Sequence, residues 1–315
     1  MSAAVDQRTC CGGESLAKCF CGRLKALFRA NDMTSSSHVL RELIAEFMGS
    51  AILVLFGCGS AITLADDKTA SVVSIAIAYG LAVSMVIWCF DHVSGAQVNP
   101  GVSIAMFCTR KMSLLKTFLY CVVQCMGGTA GAGVLFGLTP EPDRGTLGVT
   151  RVSSKISPSQ AFGVEFLATF VLVLAIFASY DRQRLDHEGS RSLSIGLVVS
   201  MEVPWVFQYT GASMNPIRSL GPAIVMEMWD KHWVFWLGPI LGAVVAGVLY
   251  DNLFAVNASI TKTKSCITST KYNNHSVNDT ELVARHNTNP CDSATVYNDD
   301  FINGNNDTAN SYRIC

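Results

Sequence analysis

Hydrophobic residues come in long uninterrupted stretches along most of this chain. Six of them cover residues 40–64, 71–90, 114–138, 161–180, 192–209 and 233–256. Each is close to the ~20 residues that a helix needs to cross a hydrocarbon core of ~30 Å. Two shorter apolar pieces, 98–107 and 214–226, are too short to span. They predict re-entrant segments, which are tolerated at membrane depth only when protein or a wet cavity surrounds them.

The first half of this pattern recurs in the second half. Ala-Glu-Phe ending at Phe47 recurs as Val-Glu-Phe ending at Phe166, and Ser-Gly-Ala-Gln-Val-Asn-Pro at 94–100 recurs as Thr-Gly-Ala-Ser-Met-Asn-Pro at 210–216. Each half contains three spans, an odd number, so the second copy enters the membrane upside down. Inverted repeats place their functional site near the midplane between the halves. The two Asn-Pro segments are therefore expected to meet there.

The Asn-Pro pairs have a direct structural interpretation. Asparagine is a favoured helix N-cap, and proline is favoured at the first helical position because its missing N–H would be unsatisfied there anyway. Asn99-Pro100 and Asn215-Pro216 therefore each predict the start of a short helix. Two positive helix ends that face each other oppose the passage of cations and protons, while the two amides can donate hydrogen bonds to a passing oxygen.

Composition and charge narrow the class of protein. Only 15% of the residues are charged and half are hydrophobic, whereas a soluble domain carries about 25% charged residues. The net charge of −1 gives no broad attraction to nucleic acid. The spans contain neither a His/Glu metal pattern nor a Ser–His pair, so we expect no metal, no cofactor and no enzyme. A secondary transporter also uses inverted repeats, but it would need a cluster of acids near the Asn pair.

Orientation follows from basic residues beside the spans. Basic residues lie before the first apolar stretch, between the second and third at Arg110 and Lys111, and between the fourth and fifth. These three segments lie on one side of the membrane, so the positive-inside rule predicts that both termini are cytosolic. The loop 139–159, on the opposite side, also carries three basic residues, which weakens this argument for the orientation. No cleavable signal peptide precedes residue 40. We expect a multi-pass protein of the plasma membrane.

Three regions follow from this layout: a cytosolic N-terminal segment at 1–38, a channel domain at 39–256 and a disordered cytosolic tail at 257–315. The channel domain consists of repeat one at 39–138 and repeat two at 160–256. The tail is rich in Asn, Thr, Ser and Asp and cannot form a core. Its sequons are expected to stay unglycosylated in the cytosol, and they start at Asn257, Asn274, Asn278 and Asn306. The N-terminal cysteines fit palmitoylation and unmodified thiols equally well; they are Cys10, Cys11, Cys19 and Cys21.

The quoted segments resemble the two signature loops of the aquaporin family, and the resemblance extends over about residues 39–256. It implies a right-handed bundle of six transmembrane helices and two half-helices, assembled as a homotetramer in the lipid bilayer. It also implies a passive channel for water and small uncharged solutes that excludes ions and protons. By resemblance the pore motifs are Asn99, Pro100, Gly101, Asn215, Pro216 and Ile217. Backbone carbonyls that line the pore would come from Gly95, Ala96, Gln97, Gly211, Ala212 and Ser213. Two buried acids, Glu46 and Glu165, would support the loops.

The family's narrowest constriction falls, by resemblance, on Tyr79, Val203, Ala212 and Arg218. Water-selective members carry His where this chain has Val203. The loss of that His resembles the insect entomoglyceroporins and predicts passage of glycerol and urea as well as water. Other markers, such as Ser219 and the Phe235-Trp236 pair, resemble the water-channel pattern. A strictly water-selective channel and a non-conducting junctional relative therefore stay open.

Glu202, immediately before Val203, has two interpretations at this stage. Its side chain could extend to the outer surface while the helix end stays in the membrane. It could also face the mouth of the pore, where it would partly neutralise Arg218. A long charged side chain near a span end more often extends to the surface, and Pro204 can end the span close by, but the sequence does not decide between the two interpretations.

Overall fold

A computed structural model describes residues 36–64, 70–181, 183–184, 189–256 and 258. All of them lie in the first of two units into which the chain divides, Met1–Asn274. They form no β-strand and eight α-helices, which in chain order are α1 Ser36–Gly59, α2 Val72–Ser94, α3 Pro100–Cys108, α4 Leu114–Leu138, α5 Pro158–Ser179, α6 Arg191–Thr210, α7 Pro216–Met226 and α8 Val234–Leu249. A π-helical turn, Tyr250–Phe254, follows α8. The N-terminal cysteines and the tail sequons lie outside the described residues.

Helix lengths separate spans from half-helices as the sequence predicts. α2, α4, α5 and α8 with its π-turn are long and apolar enough to cross a membrane by length and composition. α1 and α6 have 24 and 20 residues but include the acids Glu46 and Glu202. α3 and α7, with 9 and 11 residues, are too short to cross. The predicted all-α membrane fold of six long helices and two half-helices is confirmed.

The helices pack with the symmetry of an inverted repeat. In the first repeat α1 contacts α2 and α4, and in the second α5 contacts α6 and α8 in the same way. α2 and α6 pair across the two repeats. The half-helix α3 packs mainly on α8, and α7 packs mainly on α4. Each half-helix is therefore supported chiefly by the last span of the opposite repeat.

Glycines allow the closest helix crossings. A Cβ added to Gly80 of α2 would collide with the Gly196 carbonyl of α6, and a Cβ on Gly196 would collide with the Gly80 carbonyl. Gly131 of α4 lies against the Ala51 carbonyl of α1 in the same manner. Small residues let helix backbones approach each other closely in membranes, where packing rather than hydrophobicity drives helix association. These contacts fix the bundle around the two half-helices.

The outside of the bundle is apolar. Large hydrophobic side chains are exposed along most of the long helices, among them Trp88, Phe118, Leu138, Leu167 and Leu197. The buried set, in contrast, includes several polar and charged residues, such as Glu46, Gln124, Glu165 and Arg218. Polar groups inside and apolar groups outside suit a protein that lipid surrounds.

Candidate functional site

Each half-helix begins at an asparagine that caps it. Asn99 has an extended backbone, and its Oδ1 accepts a hydrogen bond from the Gly101 N–H at 2.9 Å. Asn215 repeats this geometry, with Oδ1 accepting from the Ile217 N–H at 3.1 Å. The proline that follows each asparagine occupies the first helical turn, where no N–H is required. The signature residues thus start α3 and α7.

The two half-helix ends are joined by reciprocal hydrogen bonds. Asn99 Nδ2 donates to the Met214 carbonyl at 3.0 Å, and Asn215 Nδ2 donates to the Val98 carbonyl at 2.8 Å. Each asparagine amide therefore bonds the residue that precedes the other asparagine. Both asparagines are buried at 4% exposure. Because the helix dipole places partial positive charge at each N-terminus, two positive ends meet at one place in the bundle.

Glu46 of α1 holds the first loop. Its Oε1 accepts from Ser94 Oγ at 2.7 Å and from the Gln97 N–H at 2.9 Å. Its Oε2 accepts from the Val98 N–H and from Gln124 Nε2, both at 2.8 Å. Four donors therefore surround a fully buried carboxyl group. These hydrogen bonds replace the water that the carboxyl group loses on burial, and so reduce the cost of burying it.

Glu165 of α5 holds the second loop with the matching set of partners. Its Oε1 accepts from Thr210 Oγ1 at 2.5 Å and from the Ser213 N–H at 3.1 Å. Its Oε2 accepts from the Met214 N–H at 2.8 Å. A hydroxyl and two successive backbone N–H groups bind an acid in both repeats. The first repeat adds the amide of Gln124, which the sequence analysis missed although a Gln within an apolar span is itself a visible signal.

The loops have an unusual backbone that these acids stabilise. Ala96 and Val98 adopt positive φ angles of 42° and 38°, and Ala212 and Met214 adopt 58° and 52°. A left-handed conformation costs a non-glycine residue about 1–2 kcal/mol. Such strain persists only where the surroundings over-determine the conformation. The acids bind the N–H groups of Val98 and Met214 directly. The Ala96 and Ala212 N–H groups donate to Ser94 Oγ and Thr210 Oγ1, the two hydroxyls that the acids also bind.

Three of the residues expected at the constriction share one buried cluster, and the fourth lies near the ring of one of them. Tyr79, Val203 and Ala212 belong to one buried cluster, and the Arg218 guanidinium carbon lies 5.7 Å from the centroid of the Tyr79 ring. Arg218 is buried at 2% exposure, and its Nη1 donates to the Gly148 carbonyl at 2.6 Å and to Cys58 Sγ at 3.0 Å. Val203 itself is completely buried within that cluster.

The connection between α4 and α5 also contacts this region, which the sequence did not reveal. The Arg151 and Ser153 N–H groups donate to the carbonyls of Thr210 and Tyr209 at 3.0 and 2.9 Å. Thr150 Oγ1 donates to Ser219 Oγ at 2.7 Å. The segment therefore stabilises the residues on both sides of the second signature loop through hydrogen bonds. It carries no motif from which this role could have been found.

The interpretation of Glu202 as a residue that extends to the outer surface is wrong. Glu202 is 4% exposed, and both of its carboxylate oxygens are buried without a hydrogen-bond partner among the described residues. The physical reason is helical periodicity, because Glu202 shares the buried face of α6 with Ile195, Val199 and Val206. Its position on the helix, rather than its charge, decides where the side chain lies.

Six long helices around two half-helices that meet at their N-termini define a membrane channel built from an inverted repeat. A model of the major intrinsic protein family matches residues 33–250, and the chain belongs to that family. Aquaporin-4 from Mus musculus is 42% identical over 223 residues, which cover 70% of this chain and 69% of the relative. Aquaporin-2 from Bos taurus is 43% identical over 211 residues, which cover 67% of this chain and 78% of the relative. The aquaporin resemblance is therefore confirmed.

A solved structure has the same fold. The X-ray structure of the aquaglyceroporin from Plasmodium falciparum matches with a TM-score of 0.60 at 26% identity, covering 68% of this chain and 96% of that one. Members of the family are passive channels rather than enzymes, so the secondary transporter is no longer a serious alternative. The chain is a multi-pass membrane protein.

Proposed function

We propose that this chain conducts water and small uncharged solutes, glycerol and urea among them, and excludes ions and protons. The observation that carries the proposal is the pair of asparagine amides at two facing half-helix ends, joined by reciprocal hydrogen bonds. An NH₂ group has two N–H donors, so each amide keeps one for a passing oxygen. The positive helix ends repel cations at the same place.

The proposed path passes the capping motifs and the two loops. The motif residues are Asn99, Pro100, Gly101, Asn215, Pro216 and Ile217. The acceptors along the path are the carbonyls of Gly95, Ala96, Gln97, Gly211, Ala212 and Ser213. Glu46 and Glu165 support this lining, because each carboxyl group binds successive loop N–H groups from behind.

Solute range depends on the proposed filter of Tyr79, Val203, Ala212 and Arg218. An isopropyl group in place of an imidazole leaves one polar wall at Arg218 and one apolar wall at Val203. Glycerol has hydroxyls along one edge and a carbon backbone along the other, so it fits such a lining. The fold neighbour described as an aquaglyceroporin supports this choice.

A strictly water-selective channel is the second candidate. Val203 is completely buried, and Tyr79 packs closely against Gly57 of α1. If these side chains fill the space that an imidazole would occupy, the constriction is no wider than in a water-selective channel. Water would pass in single file, and glycerol would be excluded.

The Val203→His substitution separates the two candidates. In proteoliposomes we expect wild type to take up glycerol and urea, and we expect this uptake to collapse in Val203→His while water flux survives. Val203→Ala is the matched control, since it changes the same position without adding a polar ring, and it should retain glycerol uptake. If wild type excludes glycerol and Val203→His behaves in the same way, the wide-filter proposal is wrong.

The assembly and orientation complete the proposal. We infer a homotetramer in the plasma membrane, with one pore in each subunit and both termini in the cytosol. Support comes from the apolar outer surface and from the basic residues Arg110 and Lys111 in the connection between α3 and α4, on the side that the positive-inside rule assigns to the cytosol.

A further inference from the structure

Two consecutive residues of α1 contact two side chains of the proposed filter. A Cβ added to Gly57 would lie 2.9 Å from Cδ2 and 3.1 Å from Cε2 of Tyr79. The next residue, Cys58, is fully buried, and its Sγ lies 3.0 Å from Arg218 Nη1. Neither residue belongs to a signature loop. The end of α1 therefore lies directly behind the filter.

Few acceptors hold the Arg218 guanidinium. The guanidinium has five N–H donors, and within the described part of the chain it has two hydrogen-bond acceptors, the Gly148 carbonyl and Cys58 Sγ, which both bind Nη1. The Nε of Arg218 is buried and has no partner among the described residues. The side-chain direction of this cation therefore depends on one carbonyl and one sulfur.

The two acceptors form one rigid surface. A Cβ added to Gly148, which has a φ of 71°, would lie 2.9 Å from the Cβ and 3.0 Å from the Cα of Cys58. The loop that provides the carbonyl thus lies directly on the α1 backbone that provides the thiol. Arg218 binds to the junction between them, so a change at Cys58 acts on both acceptors.

We infer that Gly57 and Cys58 are positioning residues that set the width and polarity of the filter. Gly57 lets the Tyr79 ring lie back against α1, because a side chain there would push the ring away from the helix. Cys58 holds the guanidinium at the wall through its sulfur. The inference rests on the proposed function, in which Tyr79 and Arg218 line the narrowest part of the pore.

Substitutions at Cys58 separate hydrogen bonding from packing. Cys58→Val keeps an apolar side chain of similar size but removes the acceptor, so the freed N–H turns toward the pore and narrows it. We expect glycerol uptake to fall relative to water flux by up to about tenfold. The upper bound is the worth of one hydrogen bond to a charged group, and the thiol sulfur is a weak acceptor. Cys58→Ser retains an acceptor and should restore the wild-type ratio.

Gly57→Ala tests the other half of the inference. The added methyl group should displace the Tyr79 ring and lower the ratio of glycerol to water flux, with a smaller effect on water. Cys89→Val serves as the matched control for Cys58→Val, because Cys89 lies on α2 and its thiol donates a hydrogen bond to Met85 Sδ on the same helix. That variant should keep the wild-type ratio at equal protein content and thermal stability.

The measurement is stopped-flow light scattering of proteoliposomes that contain equal amounts of each folded variant. The inference is overturned if Cys58→Val and Cys58→Ser both keep the wild-type ratio of glycerol uptake to water flux. It is also overturned if both variants lower that ratio by the same factor. If wild type excludes glycerol, the proposed solute range fails on its own. In that case the inference on Cys58 is tested by water flux alone, and it requires that Cys58→Val slows water flux while Cys58→Ser does not. A solved structure of Cys58→Val with an unmoved Arg218 would overturn the inference whatever the channel conducts.

Discussion

At the residue scale, the proposed exclusion of cations rests on two neutral amides between positive helix ends. Asn99→Asp and Asn215→Asp preserve the caps, since Asp and Asn cap helices about equally well. They also place negative charge between the two positive helix ends that are proposed to repel cations. We expect the double variant to leak protons and monovalent cations, measured with a pH-sensitive dye trapped in proteoliposomes. An unchanged leak in a correctly folded double variant would contradict this location of the pore.

The buried acids allow a second test at this scale. Glu165→Gln replaces one acceptor oxygen by an NH₂ group that faces backbone N–H donors. We expect it to lower the free energy of unfolding by about 1–3 kcal/mol, the cost of buried donors left unsatisfied, read as a lower melting temperature in detergent.

Glu202→Gln is the matched control, because both Glu202 oxygens lack a partner among the described residues. Burial of an unpaired acid is itself costly, so this variant should be as stable as wild type or more stable. Equal losses in Glu165→Gln and Glu202→Gln would show that the hydrogen bonds to Glu165 contribute nothing specific.

At the element scale, two glycines of the same helix should respond to alanine in opposite ways. A Cβ at Gly131 of α4 would collide with the Ala51 carbonyl of α1, whereas a Cβ at Gly133 meets nothing within 4 Å. Alanine is a better helix former than glycine by about 1 kcal/mol. We therefore expect Gly131→Ala to lower the melting temperature and Gly133→Ala to keep or raise it. The same direction of change in both variants would contradict the close packing of α1 on α4.

Most helices could be predicted, because the length of each apolar stretch in the sequence is close to the length of the helix that it forms. The range of α4 is the same in sequence and structure, and the half-helix starts follow from the Asn-Pro caps. The end of α1 could not be predicted. Apolar residues continue through Ile62 and Leu64, whereas the helix stops at Gly59. Composition alone does not mark that stop, because the apolar residues Ala61, Ile62 and Leu64 follow Gly59.

At the site, the local motifs were predictable and the long-range contacts were not. The Asn-Pro caps follow from residue preferences alone. Contacts of Cys58 and Gly148 with Arg218 join residues that are 160 and 70 positions apart, and no local preference encodes them. Glu202 was misinterpreted because charge was weighed above the helical face on which it lies.

At the scale of the whole molecule, the proposed topology has both termini on the cytosolic side, as the basic residues beside the spans predict. An epitope tag after Cys315 should be detected by antibody only in permeabilised cells, because six spans return the chain to the side on which it starts. A tag in the connection between α4 and α5, at Glu141–Asp143, should be detected on intact cells. Surface staining of the C-terminal tag would contradict the proposed topology.

The central claim is that the folded chain conducts uncharged molecules passively and rejects charge. Stopped-flow light scattering of proteoliposomes in a sucrose gradient, with a trapped pH-sensitive dye read in the same sample, tests it most directly. We predict osmotic shrinkage that accelerates with protein content, while the proton leak stays at the level of protein-free vesicles. Shrinkage no faster than in protein-free vesicles, or a proton leak that rises with protein content, would contradict the claim.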